Sequence, residues 1–298
     1  MFGAFPPPAY PRPYPLGEAL RKKKDVSGLL NRYVQDLLSV QRKAGLNALT
    51  DGRLLWDNVV EGSASLLEGW EKGDLTRFFD NNYFFRRPIK KALRPASRLA
   101  DELKLMPFPN RLLPVLGPFS FSSLASGRAE VDLDYGNALA SALSGYEGYL
   151  VIEEPSLLFS AGKEAISSLA ESLRRFPPSA KKIVMTYFAP FSKVYPSLLD
   201  LPVEGLWLDC VSDADWKNAL SEYGGKPTTV LGLVDARNTR MESPKEVADV
   251  VKRVELSGDV FVAPNWGFDI IPYAVSKQKT RLLGRIRGLL EVNRTVPH

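Results

Sequence analysis

Histidine is almost absent from this chain: His298, the last residue, is the only one. That excludes most histidine-based acid–base chemistry and every multi-histidine metal site within it. Cysteine is as scarce, with Cys210 alone, so there is no disulfide framework and the cytoplasm is the expected compartment. No apolar run approaches the roughly 20 residues that cross a bilayer. The proline-rich start, Met1 to Pro15, lacks the continuous apolar stretch of a secretory signal. No membrane association is expected. Neither a GxGxxG turn nor a Walker loop occurs, so the common phosphate cradles are missing too. No zinc finger, basic zipper or RNA-recognition signature accompanies the basic residues, and nucleic acid is not an expected partner.

What is present suits a globular α/β protein. Of 298 residues, 45% are hydrophobic and 24% charged, and a core of that size buries roughly three quarters of the unfolded surface without metal or disulfide. The net charge of +5 is spread out, with clusters at Arg21-Lys22-Lys23-Lys24, Arg86-Arg87 and Lys90-Lys91. These read either as solvated helix faces or as a groove for an anionic ligand such as a polycarboxylate tail.

The most informative stretch is Thr228 to Trp266. Thr228–Val234 is the apolar, β-branched run of a strand buried on both faces. Asp235, Arg237 and Asn238 follow at its tip. Ser243-Pro244-Lys245-Glu246 then opens a helix, with Ser243 as N-cap, Pro244 in the first turn and Glu246 completing a capping box. Asp259–Pro264 is a second apolar strand, with Asn265 and Trp266 at its tip. Strand, polar tip, helix, strand, polar tip is a βαβ unit with its chemistry at the carboxyl ends of the strands.

The same alternation runs along the whole chain. Strands are expected near residues 3, 46, 112, 149, 182, 205, 229 and 260, with helical stretches between them. The helical stretches include a long one from Leu16 to Lys43, one from Trp56 to about Trp70, and one running through Leu103. Eight strands alternating with helices predict a single (β/α)₈ barrel over residues 1–298, with an extended proline-rich N-terminal segment. A doubly wound open sheet is the alternative. Barrel sites lie at the carboxyl face, so Asp51, Glu153 or Glu154, Asp209, Asp235 and Asn265, each following a strand, are expected at one mouth. Glu153 and Glu154 are adjacent on a strand and point to opposite faces, so they cannot form one acid–base pair. The segment Phe78-Phe79-Asp80-Asn81-Asn82-Tyr83-Phe84-Phe85-Arg86-Arg87-Pro88 reads either as packing or as a ligand-facing loop with a stacking surface and cations.

Leu-Thr-Asp-Gly (49–52), Phe-Phe-Asp-Asn-Asn-Tyr (78–83), Leu-Gly-Pro-Phe (116–119), Ile-Glu-Glu-Pro (152–155) and Thr-Tyr-Phe (186–188) occur in that order. They are followed by Leu-Pro-Val-Glu-Gly-Leu-Trp-Leu-Asp (201–209), Leu-Gly-Leu-Val-Asp-Ala-Arg-Asn (231–238) and Val-Ala-Pro-Asn-Trp-Gly (262–267). Together they resemble cobalamin-independent methionine synthase along nearly the whole chain, and its amino-terminal barrel more than its catalytic carboxy-terminal one. The resemblance implies a barrel of the methionine synthase and uroporphyrinogen decarboxylase type, a part in methyl transfer to homocysteine, and methionine biosynthesis. In that family zinc is held by His-x-Cys, Glu and Cys. Here those places fall at Thr186-Tyr187-Phe188, near Asp209, and at Pro264-Asn265-Trp266-Gly267, so no zinc site is expected and no cofactor is expected to be bound. The family's Asp-Gly-Glu has Arg53 in the Glu place, and its Asp-Glu-Pro has Glu153 in the Asp place. Both positions touch homocysteine in the catalytic barrel, which places homocysteine binding in the family manner in doubt.

The resemblance therefore implies a pterin- or folate-binding subunit of a split methionine synthase, working with a zinc-containing catalytic barrel on another chain. The ligand would be a methyl-folate or methyl-pterin. Tyr83 and Trp266 would stack on it, and Asp51, Glu153, Asp209, Asp235, Arg237, Asn238 and Asn265 would supply polar contacts. Its anionic tail would meet Arg12, Arg21, Lys22 and Lys23. Two alternatives stay open: an independent acid–base enzyme on the same barrel, resembling uroporphyrinogen decarboxylase, and a non-catalytic ligand-binding protein.

Overall fold

The chain opens on a three-residue strand, β1 (Phe2–Ala4), and returns to it only after the last strand has formed. A computed structural model describes residues 1–291, and His298 lies outside them. After β1, Pro6, Pro7 and Pro8 form a buried extended loop, and α1 (Tyr14–Arg21) and α2 (Ser27–Lys43) follow. The single helix expected from Leu16 to Lys43 is thus two. Lys23 takes a left-handed φ of 51°, and Asp25 accepts the Ser27 N–H to start the second helix. Gly28 sits inside α2 and does not cause the break.

The next elements depart most from expectation. In place of a helix to Trp70, α3 (Val59–Ala64) stops after six residues, and an antiparallel hairpin of β2 (Leu67–Arg77) and β3 (Phe84–Pro95) follows. Gly69, at φ 84°, lies within one irregularity of the hairpin, and Gly73 within a second. Two glycines weaken a helix, and pairing of β2 with a distant partner strand then decides the conformation. Asn58 caps α3 by accepting the Glu61 N–H, while the Glu61 carboxylate receives the Arg86 N–H at 2.8 Å and the Lys72 ammonium. That carboxylate ties the hairpin to the barrel. The helix expected to run through Leu103 begins only at α4 (Arg98–Lys104).

From there strands and helices alternate as the sequence pattern predicts: β4 (Leu112–Leu116), α5 (Pro118–Ser126), α6 (Leu133–Ala142), β5 (Gly148–Glu153), α7 (Leu157–Ser160), α8 (Lys163–Arg174), β6 (Ala180–Thr186), α9 (Tyr195–Leu199), β7 (Gly205–Asp209), α10 (Trp216–Tyr223), β8 (Thr228–Val234), α11 (Pro244–Lys252), β9 (Asp259–Pro264) and α12 (Tyr273–Glu291). The Ser243 hydroxyl accepts the Glu246 N–H at the start of α11, with Pro244 in its first turn.

The main sheet is parallel, in the order β1-β9-β8-β7-β6-β5-β4. Its two edges, β1 and β4, are joined through residues 47–50. The Asn47 N–H donates to Ala4 O, the Leu49 N–H donates to Asn110 O, and the Leu112 N–H donates to Leu49 O. Leu49 also bridges Arg111 in parallel register. Seven strands and this segment make eight stations in a ring, the arrangement of a (β/α)₈ barrel.

Alternation along the strands decides what faces inward. Phe5 meets Tyr149 of β5 at 4.8 Å, Trp207 of β7 at 6.0 Å and Phe261 of β9 at 4.5 Å between ring centroids. Strands that are not neighbours can share such contacts only inside the barrel. Two or four residues further along the same faces come Glu153, Asp209 and Asn265, which therefore point inward at the carboxyl-end mouth. Glu154 takes the opposite face.

Candidate functional site at the barrel mouth

The tips of β5, β6, β7, β8 and β9 deliver polar or aromatic side chains to the mouth, and these meet in two groups. The first is centred on Arg53, which is 6% exposed and takes a left-handed φ of 55°. Its Nη1 lies 2.8 Å from Glu153 Oε1, and the Tyr187 hydroxyl donates to Glu153 Oε2 at 2.7 Å. Across the mouth the Tyr83 hydroxyl donates to Asp269 Oδ1 at 3.0 Å, and Asp269 Oδ2 is buried with no hydrogen-bond partner. Asp51 accepts the Arg53 N–H. Burial raises the carboxyl pKa values of Asp51, Glu153 and Asp269, and in each case the Arg53 charge offsets part of the effect. For Arg53 burial acts to lower the pKa, but Glu153 and Asp269 more than reverse this and raise it. The two departures from the family pattern at the homocysteine-contacting places, 53 and 153, are the two halves of one buried ion pair.

The second group holds the tips of β7, β8 and β9 together. Asp209 Oδ1 accepts from the N–H groups of Val211 and Ser212 and from Asn265 Nδ2, at 3.1, 3.0 and 3.0 Å. Its Oδ2 accepts from the Phe188 N–H at 3.0 Å and the Ser212 hydroxyl at 2.7 Å. Asn265 Oδ1 accepts the Ala236 N–H. Both side chains are fully buried and hydrogen-bonded to the tips around them.

Asp235, Arg237 and Asn238 form a more open rim. Asp235 accepts from the Arg237 N–H at 2.9 Å and from the Asn238 amide. The Arg237 guanidinium is only 3.9 Å from it and lies 5.8 Å from the Phe188 ring centroid. The backbone beneath is fixed independently. The buried Lys279 ammonium donates to Asp235 O at 2.8 Å, and Glu242 accepts the Asp235 N–H.

Trp266 is in the mouth but 1% exposed. Phe78, Tyr83, Tyr187 and Phe188 surround it, with centroids 4.8 to 6.3 Å away. Of the basic residues expected to meet an anionic tail, Arg12 is committed to Leu54 O and Asp57. Arg21, Lys22 and Lys23 lie exposed at the end of α1, with Lys22 paired to Glu18.

Glu154 belongs to the outer layer. Fully buried, it accepts the N–H groups of Phe119 and Ser120 at 3.0 and 2.7 Å, donors left open at the start of α5. Burial, the largest influence, raises its pKa to about 7 against those hydrogen bonds. A carboxyl whose folded pKa lies above its unfolded one stabilises the fold at low pH and loses that contribution as pH rises through the folded value. Stability should therefore fall between about pH 4.5 and 7, by up to about 3 kcal/mol. In urea titrations across that window, Glu154→Gln should flatten the slope. An unchanged slope would exclude this carboxyl as its source.

The donors present do not suit the zinc of the family resemblance. Cys210 is buried, its thiol directed at Leu208 O, and burial holds its pKa well above the usual thiol value. Thiolate is the zinc ligand. Among the described residues, no three of histidine, cysteine, aspartate and glutamate group in a metal-holding arrangement.

Sequence reasoning left Phe78 open between packing and a ligand-facing loop, and it singled out none of Tyr187, Phe188 and Asp269 as ligand contacts. Asp269 follows Trp266 by three positions in the loop beyond β9, and that position was its available signal.

Fold and mouth together define a parallel α/β barrel with its polar and aromatic side chains gathered at the carboxyl ends of the strands. The chain belongs to the family described as cobalamin-independent synthase, N-terminal domain, whose model matches residues 68–258. It is 24% identical to a methionine synthase of Sulfurisphaera tokodaii over 94% of this chain and 89% of that protein. It is also 24% identical to a 5-methyltetrahydropteroyltriglutamate–homocysteine methyltransferase of Ralstonia pickettii, over 85% of this chain but only 39% of that enzyme. A solved B12-independent methionine synthase from Shewanella sp. W3-18-1, in complex with selenomethionine, shares the fold. Its TM-score is 0.71 at 17% identity, covering 98% of this chain and 97% of that one. No helix among the described residues is long and apolar enough to cross a membrane.

Proposed function

We propose that this chain is the pterin- or folate-binding member of a split methionine synthase, working beside a separate zinc-bearing catalytic barrel. The observation that carries the reading is the Arg53–Glu153 pair. It fills the positions that would otherwise receive homocysteine, in a mouth whose donors do not suit zinc, while the aromatic lining and the Asp235 rim remain. The Ralstonia pickettii relative is a methyltransferase of 5-methyltetrahydropteroyltriglutamate, which supports a methylated pterin with an anionic tail as the ligand class. Tyr83 offers a partly exposed ring, and the buried Trp266 and Tyr187 would offer ring surfaces once uncovered. Arg237 and Asn238 offer donors, and the exposed Arg21, Lys22 and Lys23 suit the tail better than Arg12 does. The acid–base alternative draws on the raised carboxyls Asp51, Glu153 and Asp269, but Glu153 is held by Arg53 and Tyr187.

Calorimetry against methylated folates, with and without a catalytic barrel, tests the reading. Binding should weaken as salt rises. Asp235→Ala and Arg237→Ala should each weaken binding while changing stability by less than about 1 kcal/mol, because Lys279 and Glu242 hold the loop without them. Methyl transfer to homocysteine by the lone chain would overturn the proposal. So would a lack of folate binding both alone and with the catalytic barrel.

A further inference from the structure

Trp266, the ring best placed to stack on a ligand, is covered by the protein itself. Phe78, at the end of the β2 arm of the hairpin, is fully buried. Its ring lies nearly parallel to Trp266, at 16° and 6.3 Å, and meets Phe79, Tyr83 and Phe188 edge-on at 4.9, 5.7 and 6.2 Å. Beside this slot lie the Tyr187 hydroxyl with Glu153 and Arg53, and the Tyr83 hydroxyl with Asp269. A flat ring seated there would find faces above and beside it, acceptors in the carboxylates and donors in Arg53. We propose that Phe78 occupies a slot for a flat heteroaromatic ring carrying both donors and acceptors, and that the hairpin withdraws Phe78 when such a ligand enters.

Three further observations fit a plug that moves. Phe79 and Phe188, which flank the slot, hold left-handed φ values of 52° and 75°. Bulky side chains rarely adopt that region, and such strain gathers at switching sites. The hairpin carries register irregularities between Glu68 and Trp70 and between Lys72 and Leu75, each containing a glycine. An arm can bend there without breaking its ladder elsewhere. From outside, the plug is held by the stack of Phe79 on Phe159 at 5.2 Å and 26°, and Phe159 is itself 55% exposed. With no ligand bound, Phe78 keeps the aromatic slot out of water.

The inference rests on the pterin reading for its natural ligand, so the test uses two probes. They are 5-methyltetrahydrofolate and indole, a flat ring that does not depend on that reading. Calorimetry on the full chain compares wild type with Phe78→Ala, which empties the slot, and Phe159→Ala, which loosens the plug from outside and leaves the slot intact. If the open state makes up about 0.1 to 10% of the population, apparent affinity is reduced by that fraction, and both variants should bind about tenfold or more tightly than wild type. A merely structural Phe159 predicts no gain. Tighter indole in both variants with no folate binding to any of the three keeps the slot and removes the pterin reading. Phe159→Ala binding indole no better than wild type overturns the proposal even if Phe78→Ala binds it, since any new cavity accepts a small ring. Should Phe78→Ala fail to fold, the exposed Phe159→Ala decides alone.

Discussion

Arg53→Ala is expected to destabilise the barrel by about 3 to 5 kcal/mol at neutral pH, because it leaves the Glu153 charge buried and uncompensated. Glu153 is fully buried, and after the substitution only the Tyr187 hydroxyl would still donate to it. Its pKa is already raised by burial and is lowered chiefly by Arg53, so the variant's carboxyl should titrate higher still. A folded-state pKa above the unfolded one gives stability at low pH that is lost as pH rises. The deficit against wild type should therefore shrink as pH falls and the carboxyl takes a proton. Arg53→Met combined with Glu153→Gln should recover most of the loss. Glutamine keeps an acceptor for Tyr187 and carries no charge, and apolar replacements of buried pairs are often neutral. Denaturant titrations of the single and double variants at acid and neutral pH provide the measurement. An equal deficit at every pH, or a double variant no better than the single, would show that the pair does not set the energetics of the mouth.

This pair also shows how far the sequence could be read. The strand count and the placement of polar residues after strands follow from local patterns: apolar runs of strand length, helix starts such as Ser243-Pro244, and the period-two rule that separates Glu153 from Glu154. Those features depend on neighbours in the chain, and seven of the eight expected strands form in the main sheet, while the segment near residue 46 contributes only a bridge at Leu49. Glu153 stands out in sequence as a mouth carboxylate and Arg53 only as a departure from a family pattern, with nothing local to connect them. Their meeting depends on ring closure, which brings residues 100 positions apart within 2.8 Å. The hairpin was hidden for a related reason. The helix expected from Trp56 to about Trp70 takes in the first residues of β2, and pairing of residues 67–77 with residues 84–95 decides their state. The aromatic segment at 78–85 left packing and ligand contact equally open. The structure buries Phe78 against Trp266, a contact across 188 positions that no local pattern encodes.

The second large effect concerns Asp209, expected from sequence to face a ligand and placed by the structure where it joins the strand tips. Asp209→Ala should cost about 3 to 5 kcal/mol. It strands the buried Asn265 amide and the part-buried N–H groups of Phe188, Val211 and Ser212, and a donor left unsatisfied out of reach of water costs about 1 to 3 kcal/mol. Asp209→Asn should fall between this variant and wild type. An amide keeps one acceptor for the Oδ1 donors, but its NH₂ then opposes the Phe188 N–H, while the Ser212 hydroxyl can reverse to accept. Because Phe188 holds a left-handed φ of 75° beside Trp266, losing its N–H bond should also loosen the aromatic wall of the mouth. Hydrogen exchange at Phe188 should thus rise more than exchange at residues of β1, across the ring from β6. Asp235→Ala, on the open rim, is the control and should leave both stability and exchange near wild type. If Asp209→Ala proves no less stable than Asp235→Ala, Asp209 is not the structural joint described here, and the ligand-facing reading of its carboxylate returns.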